Sequence, residues 1–181
     1  SKIGPVEGIL TNLMDAVDEE TIGMAQNLRV ISQLAVGFDN IDLLEATRRK
    51  IPVGYTPDVV SEATADHAFG LLISVARRLN ESERWVRKGG WEIAFHPQHW
   101  LGSDVNNSTL GIIGLGRIGI EVAKRARGFN MRILHNSRTS KPNYEAEYNI
   151  KYVNLNTLLM ESDFISLHVP LTNNTRHLIG E

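Results

Sequence analysis

Thr109-Leu110-Gly111-Ile112-Ile113-Gly114-Leu115-Gly116-Arg117-Ile118-Gly119 is the stretch on which the fold turns. Five residues dominated by leucine and isoleucine read as a strand. Three glycines at G-x-G-x-x-G spacing then open a helix in which Ile118, Val122 and Ala126 share one face and Gly128 marks the end. In that setting the first glycine permits a tight turn, the second lets backbone approach a pyrophosphate, and the third lets the helix pack close to the strand. The helix start adds unpaired N–H groups and a positive dipole end, both suited to phosphate. Gly114, Gly116 and Gly119 are therefore candidate dinucleotide-binding residues; the alternative is a purely structural glycine turn.

Downstream, Met131-Arg132-Ile133-Leu134-His135 reads as the next strand, and its end is the next discriminator. An Asp or Glu there, about 20 residues after the glycines, would bind an adenosine ribose 2′-hydroxyl. The sequence instead offers Asn136-Ser137-Arg138-Thr139, with Lys141 close behind. An acid would repel a 2′-phosphate, whereas Arg138 brings a planar fork of donors, Ser137 and Thr139 bring hydroxyls, and Lys141 adds a charge. NADP(H) is favoured over NAD(H), the bland alternative being a solvated basic loop. A polar segment at 136–149 follows, then a strand Lys151-Tyr152-Val153, a short helix at 155–161, and an apolar strand Phe164-Ile165-Ser166-Leu167-His168-Val169 stopped by Pro170.

Upstream, strands alternate with helices again. Gly8-Ile9-Leu10-Thr11, Leu28-Arg29-Val30-Ile31-Ser32 and Ile51-Pro52-Val53-Gly54-Tyr55 read as strands. Asp18 caps one intervening helix and Asp39-Asn40 the other. Ser61 then caps a long helix whose apolar positions Ala65, Phe69, Leu72, Ile73 and Ala76, widened by Ala68, Leu71 and Val75, predict burial on several sides, with Gly89-Gly90 ending the pattern. Residues 91–107, with Phe95, Pro97 and Trp100, have no clear period and read as an arm packed on something else. This is an α/β chain of two parallel-sheet blocks.

Composition narrows the function classes. The 181 residues carry 19 Lys+Arg against 21 Asp+Glu, a formal charge of −2, which argues against a nucleic-acid binder. There is no cysteine, hence no disulfide framework, thiolate metal site or cysteine nucleophile, and a reducing compartment such as the cytoplasm is the expectation. The most apolar stretch, 68–76, is far short of the roughly 20 residues that span a bilayer, so no membrane association is expected. His96-Pro97-Gln98-His99 lacks helical context and a third ligand, so no metal site is expected.

Four segments in register resemble one family. Ser32-Gln33-Leu34-Ala35-Val36-Gly37-Phe38-Asp39-Asn40-Ile41-Asp42, the Thr56-Pro57-Asp58-Val59-Val60 stretch leading to Ala65-Asp66, the glycine loop, and Ser166-Leu167-His168-Val169-Pro170-Leu171-Thr172 look like the D-isomer-specific 2-hydroxyacid dehydrogenases. Val53-Gly54-Tyr55-Thr56-Pro57-Asp58-Val59 and Ser137-Arg138-Thr139 look most like the glyoxylate/hydroxypyruvate reductases among them. The resemblance implies a Rossmann-type doubly wound parallel sheet, here incomplete, over residues 57–181, including an interdomain helix and a dimerisation arm. It implies part of a flavodoxin-like substrate domain over residues 1–56. The implied activity is hydride transfer from NADPH to the keto carbon of a small 2-keto acid, giving a D-2-hydroxy acid.

The same resemblance implies particular roles. The Val36-Gly37 turn would present N–H groups to the substrate carboxylate, with Leu34 and Ala35 lining the pocket. Thr64 would lie beside the cofactor, Leu115, Arg117 and Ile118 would join the glycines, and His168, Val169, Pro170 and Thr175 would edge the adenosine side. The bland alternatives are that Val36-Gly37 is only a strand-to-helix turn and His168 only a strand-end residue. A homodimer is implied, with 85–100 as the nominated surface. The family's catalytic Arg, Glu and His would follow the strand ending at Pro170, so the chain reads as a central fragment, expected to be unstable and inactive by itself. The rivals are an NAD-dependent relative acting on another 2-hydroxy acid and a non-catalytic dinucleotide-binding interaction module.

Overall fold

The structure is a computed structural model describing residues 3–94 and 98–180. Phe95, His96 and Pro97 of the arm, and with them half of the His96/His99 pair, lie outside the described residues. The chain divides into two compact units, Ser1–Val60 and Ser61–Glu181.

The amino-terminal unit runs β1 (Gly8–Thr11), α1 (Glu19–Met24), β2 (Val30–Gln33), α2 (Leu43–Arg48) and β3 (Val53–Gly54). Its sheet is parallel, in the order β1-β2-β3. Ile22, Ile31, Ala46 and Val17 are buried together under it. Asp18 caps α1 as expected, accepting the Thr21 N–H at 2.9 Å, a bond that holds its carboxyl below the usual range. The cap of α2 differs from the expectation. It is Asp42, accepting from the Glu45 N–H at 2.9 Å, because the Asn40 amide is used elsewhere, donating to the carbonyls of Asn12 and Asp15. The expected strand at 51–55 is confined to two residues.

The carboxyl-terminal unit opens with α3 (Ser61–Ala76) and α4 (Leu79–Arg87). These two replace the single helix to Gly89 that the sequence pattern predicts. The break comes at Arg78, which adopts the left-handed region at φ 54°. Its guanidinium bonds Glu81 at 2.6 Å and lies 5.0 Å from the Trp100 ring centroid, contacts that offset the strained backbone. Expected burial on several sides also gives way to one face: Ala65, Phe69 and Ala76 are buried, but Leu71 and Val75 are 51% and 75% exposed.

There follow β4 (Thr109–Ile113), α5 (Arg117–Arg127), β5 (Arg132–Asn136), α6 (Pro142–Tyr148), β6 (Ile150–Tyr152), α7 (Leu155–Glu161) and β7 (Phe164–Leu167). The strands form one parallel sheet in the order β6-β5-β4-β7. This is strand order 3-2-1-4 of the doubly wound arrangement, with the reversal at β4. α3 packs on α5 through Ala65, Phe69, Val122, Ala123 and Ala126, while Leu158 of α7 packs with Ile113 and Leu134. An Arg125 to Asp66 bond of 2.6 Å fastens α5 to α3. The polar segment at 136–149 contains α6, which carries no buried residue and so showed no apolar period. Among the described residues no helix is long and apolar enough to cross a membrane.

Candidate dinucleotide site

At a strand-order reversal, the connections leaving neighbouring strands diverge and open a crevice beyond their carboxyl ends. Here the segments leaving β4 and β7 meet at that place. Gly114 follows β4 with φ 96°, and its N–H donates to Asn136 O at 2.8 Å. A side chain at Gly114 would begin 2.5 Å from the His168 carbonyl and 2.8 Å from Val169 Cγ1, so only glycine fits. At Gly119 an added carbon would collide with the Gly114 carbonyl, which is how close the first turn of α5 comes to the loop.

Gly116 differs from both. Nothing lies within 4 Å of where its Cβ would stand, and it begins α5 without a side-chain cap. Among the described residues, the N–H groups of Gly116, Ile118 and Gly119 have no protein acceptor. Open space over bare helix-terminal donors is what a pyrophosphate requires. Leu115 contributes differently: its side chain is buried and its N–H is spent on Ser137 Oγ at 2.8 Å. Arg117 is exposed beside Gly116.

At the end of β5, Arg138, Thr139 and Lys141 are exposed and Ser137 is half-buried. The Asn136 side chain turns away to Val153 O at 2.9 Å. Ser137 Oγ, besides accepting from Leu115, lies 3.3 Å from Nδ1 of His135, a fully buried ring whose Nε2 is 3.0 Å from Glu145 Oε1. The sequence reading did not single out His135 or Glu145. The available signal was a histidine two positions after Ile133, on the same inward face of a strand.

Beyond β7, the His168 N–H donates to Ile113 O at 2.7 Å, and its Nε2 is 2.8 Å from Ser166 Oγ. Burial pushes the His168 imidazole below its usual value, so it stands neutral at pH 7. Val169 packs with Ile113 and Leu158, and the Thr175 hydroxyl donates to Pro170 O at 2.6 Å, fixing the turn. Thr64 is exposed on the first turn of α3, whose Glu62 carbonyl and Asp66 carboxylate both accept from Arg125.

In the amino-terminal unit the turn after β2 is held by side-chain amides. Gln33, buried, donates from Nε2 to Gly37 O at 3.1 Å and Asn40 Oδ1 at 2.8 Å. The Leu34 N–H donates to Thr11 O, and Ala35 O accepts from Thr56. Leu34 is exposed and Ala35 half-buried. Among the described residues the N–H groups of Val36 and Gly37 have no protein acceptor. Gln33 and Asn40 stand inside the first of the resembling segments, but nothing in the string marks their amides as the bridge that shapes the turn.

Comparison with known proteins agrees with this geometry. Residues 69–181 match the D-isomer specific 2-hydroxyacid dehydrogenase, NAD binding domain. A glyoxylate reductase of Thermococcus litoralis is 52% identical over 99% of this chain and 55% of its own length. Among solved structures, the TT0316 protein of Thermus thermophilus superposes with a TM-score of 0.88 at 42% identity, covering 98% of this chain and 55% of that one. The D-lactate dehydrogenase of Aquifex aeolicus complexed with NAD and lactic acid gives 0.88 at 33% identity, covering 96% and 51%. The chain thus spans about half the length of the relatives it matches. On its loop geometry, its sheet order and these matches together, the chain belongs to the D-isomer specific 2-hydroxyacid dehydrogenase family.

Proposed function

We propose that the chain serves an NADPH-dependent reduction of a small 2-keto acid, glyoxylate or hydroxypyruvate, to the D-2-hydroxy acid. The observation that carries this is the end of β5: two cationic side chains and a threonine hydroxyl exposed beside a glycine loop, with no acid among residues 136–141 to repel a 2′-phosphate. The glyoxylate reductase of T. litoralis supports the substrate class.

The bound dinucleotide would supply the hydride for the keto carbon. The chain's own residues bind and orient. Gly116, Ile118 and Gly119 offer N–H donors to the pyrophosphate, Gly114 lets the loop turn, and Arg138, Thr139 and Lys141 answer the 2′-phosphate. The Val36 and Gly37 N–H groups hold the substrate carboxylate, with Leu34 and Ala35 beside it. His168, Val169, Pro170 and Thr175 shape the adenosine side, and Thr64 the facing helix. The proton donor, its orienting Glu and the substrate-binding Arg are assigned to sequence outside these residues, so the 181-residue chain by itself turns over no keto acid. Absence of cysteine suits the cytoplasm. A homodimer through 85–100 completes the reading.

One observation favours a second reading: the A. aeolicus relative was solved with NAD and lactic acid, so an NAD-dependent enzyme for another 2-hydroxy acid is the alternative. Steady-state assays of the full-length protein decide. NADPH oxidation with glyoxylate or hydroxypyruvate at a kcat/KM well above that with NADH supports the proposal. A preference for NADH with pyruvate supports the alternative.

A further inference from the structure

Resting on the NADPH reading above, we propose that His135 and Glu145 are positioning residues for cofactor choice: without touching the dinucleotide, they lock the 137–141 loop to the glycine loop and so present Arg138, Thr139 and Lys141 to a 2′-phosphate.

The hydrogen bonds form one continuous chain from Glu145 through His135 and Ser137 to Leu115. Burial would raise the Glu145 carboxyl, but the Lys141 N–H, the Ser140 hydroxyl and His135 together bring it below its usual value, so it is an ionised acceptor. His135 Nε2–H therefore donates to Glu145 across 3.0 Å. His135 Nδ1, on the other side of the ring, faces Ser137 Oγ at 3.3 Å, and that oxygen also accepts the Leu115 N–H at 2.8 Å.

Two consequences follow. Ser137 Oγ is engaged inward, by the Leu115 N–H and at the His135 ring, so Ser137 ties the two loops together, and the face toward solvent is left to its exposed neighbours. Both ends of the exposed loop are also anchored. At one end Ser137 is held by His135, by Leu115 and through its carbonyl by the Tyr152 hydroxyl at 3.3 Å. At the other, Glu145 Oε1 accepts the Ser140 hydroxyl at 2.7 Å and the Lys141 N–H at 2.5 Å. The His135 ring, 5.1 Å from that of Tyr152, joins the two anchors through the core. A loop fastened at both ends loses little conformational entropy when a ligand arrives, and here that saving falls on the residues that meet the 2′-phosphate.

The test is calorimetric titration of the full-length protein with NADPH and with NADH, beside thermal melting. His135→Phe keeps a ring against Tyr152 but loses both nitrogens, whereas His135→Gln keeps a donor in reach of Glu145. The expected result is an NADPH Kd weakened about tenfold in His135→Phe, with NADH binding changed less than about twofold and much of the loss recovered in His135→Gln. Equal weakening of both cofactors, or no change, in a folded His135→Phe protein overturns the proposal. If that variant does not fold, Glu145→Leu, which removes the oxygen that accepts from His135, Ser140 and Lys141, decides by the same selective loss or its absence. The wild-type arm separates the two levels: an unmodified protein binding NADH as tightly as NADPH defeats the NADPH reading, and this inference with it. A selective wild type with unselective variants defeats the inference alone.

Discussion

The turn after β4 and the turn after β2 both leave the carboxyl end of a parallel strand, and they are built by opposite means. After β4, shape is dictated by what cannot be present: Gly114 sits at φ 96° against the His168 carbonyl, and Gly119 lies against Gly114. After β2, shape is dictated by what must be present: a buried Gln33 amide bridges Gly37 and Asn40, and Asn40 carries the connection on to Asn12 and Asp15. Both leave main-chain N–H groups without protein acceptors among the described residues. Steric exclusion and a polar network thus reach one end, a row of donors available to an anion, but they should fail differently when altered.

Gly114→Ala should do the most damage. The backbone strain of a side chain at that φ costs about 1–3 kcal/mol before the overlap with His168 is counted, and the segment after β7 must move to relieve it. Thermal melting should fall by roughly 10 °C, with NADPH binding lost in titration. An unchanged melting point would mean that the β4 turn is not sterically determined. Gln33→Leu is the matching change after β2. It keeps the bulk but strands the Gly37 carbonyl and the Asn40 amide oxygen, costing about 2 kcal/mol, and steady-state kinetics of the full-length protein should show KM for the keto acid rising more than kcat falls. Equal effects on both parameters would remove the link between Gln33 and carboxylate binding.

These two turns also show what a sequence can disclose. Glycines required by geometry, here Gly114 and Gly119, are written directly into the chain, and the spacing Gly114-x-Gly116-x-x-Gly119 after Ile112-Ile113 is readable in it, as is the cap Asp18. The parallel pairing of the strands followed from the alternation of strands and helices. The Gln33–Asn40 bridge was not readable, since an amide buried by tertiary contact looks like any surface Gln in a string. His135 and Glu145 escaped likewise, because they stand ten positions apart and Glu145 lies on a helix that carries no buried residue. Arg78 is the extreme case: nothing about an arginine announces a left-handed residue, and the Glu81 and Trp100 contacts that sustain it exist only in the folded chain.

Gly116→Ala separates steric need from ligand need within the first turn. Nothing in the protein occupies the space its methyl would enter, so melting should stay within about 1 °C, while NADPH binding should weaken about tenfold as the methyl meets the pyrophosphate. Binding unchanged by the methyl would place the pyrophosphate elsewhere.

The smallest effect belongs to the amino-terminal unit in acid. Glu45 is held down to about 2 from 4.5, chiefly by its hydrogen bond to Arg48 and also by that to Arg49. A carboxyl whose folded-state pKa is depressed stabilises fully above its unfolded value and loses that contribution as pH falls toward the folded one. Melting followed from about pH 5 to about pH 2 should therefore decline less steeply in Glu45→Gln than in the wild type, with the neutral-pH stability of the variant lower. Parallel declines would show that the Glu45 pair does not set the acid sensitivity.

The most direct test of the central claim is a crystal structure of the full-length protein with NADPH. The pyrophosphate should lie over Gly116 at the start of α5 and the 2′-phosphate against Arg138, Thr139 or Lys141, with Ser137 still bonded to Leu115 and His135. A pyrophosphate bound away from the glycine loop, or a 2′-phosphate turned from the 137–141 loop into solvent, would contradict it.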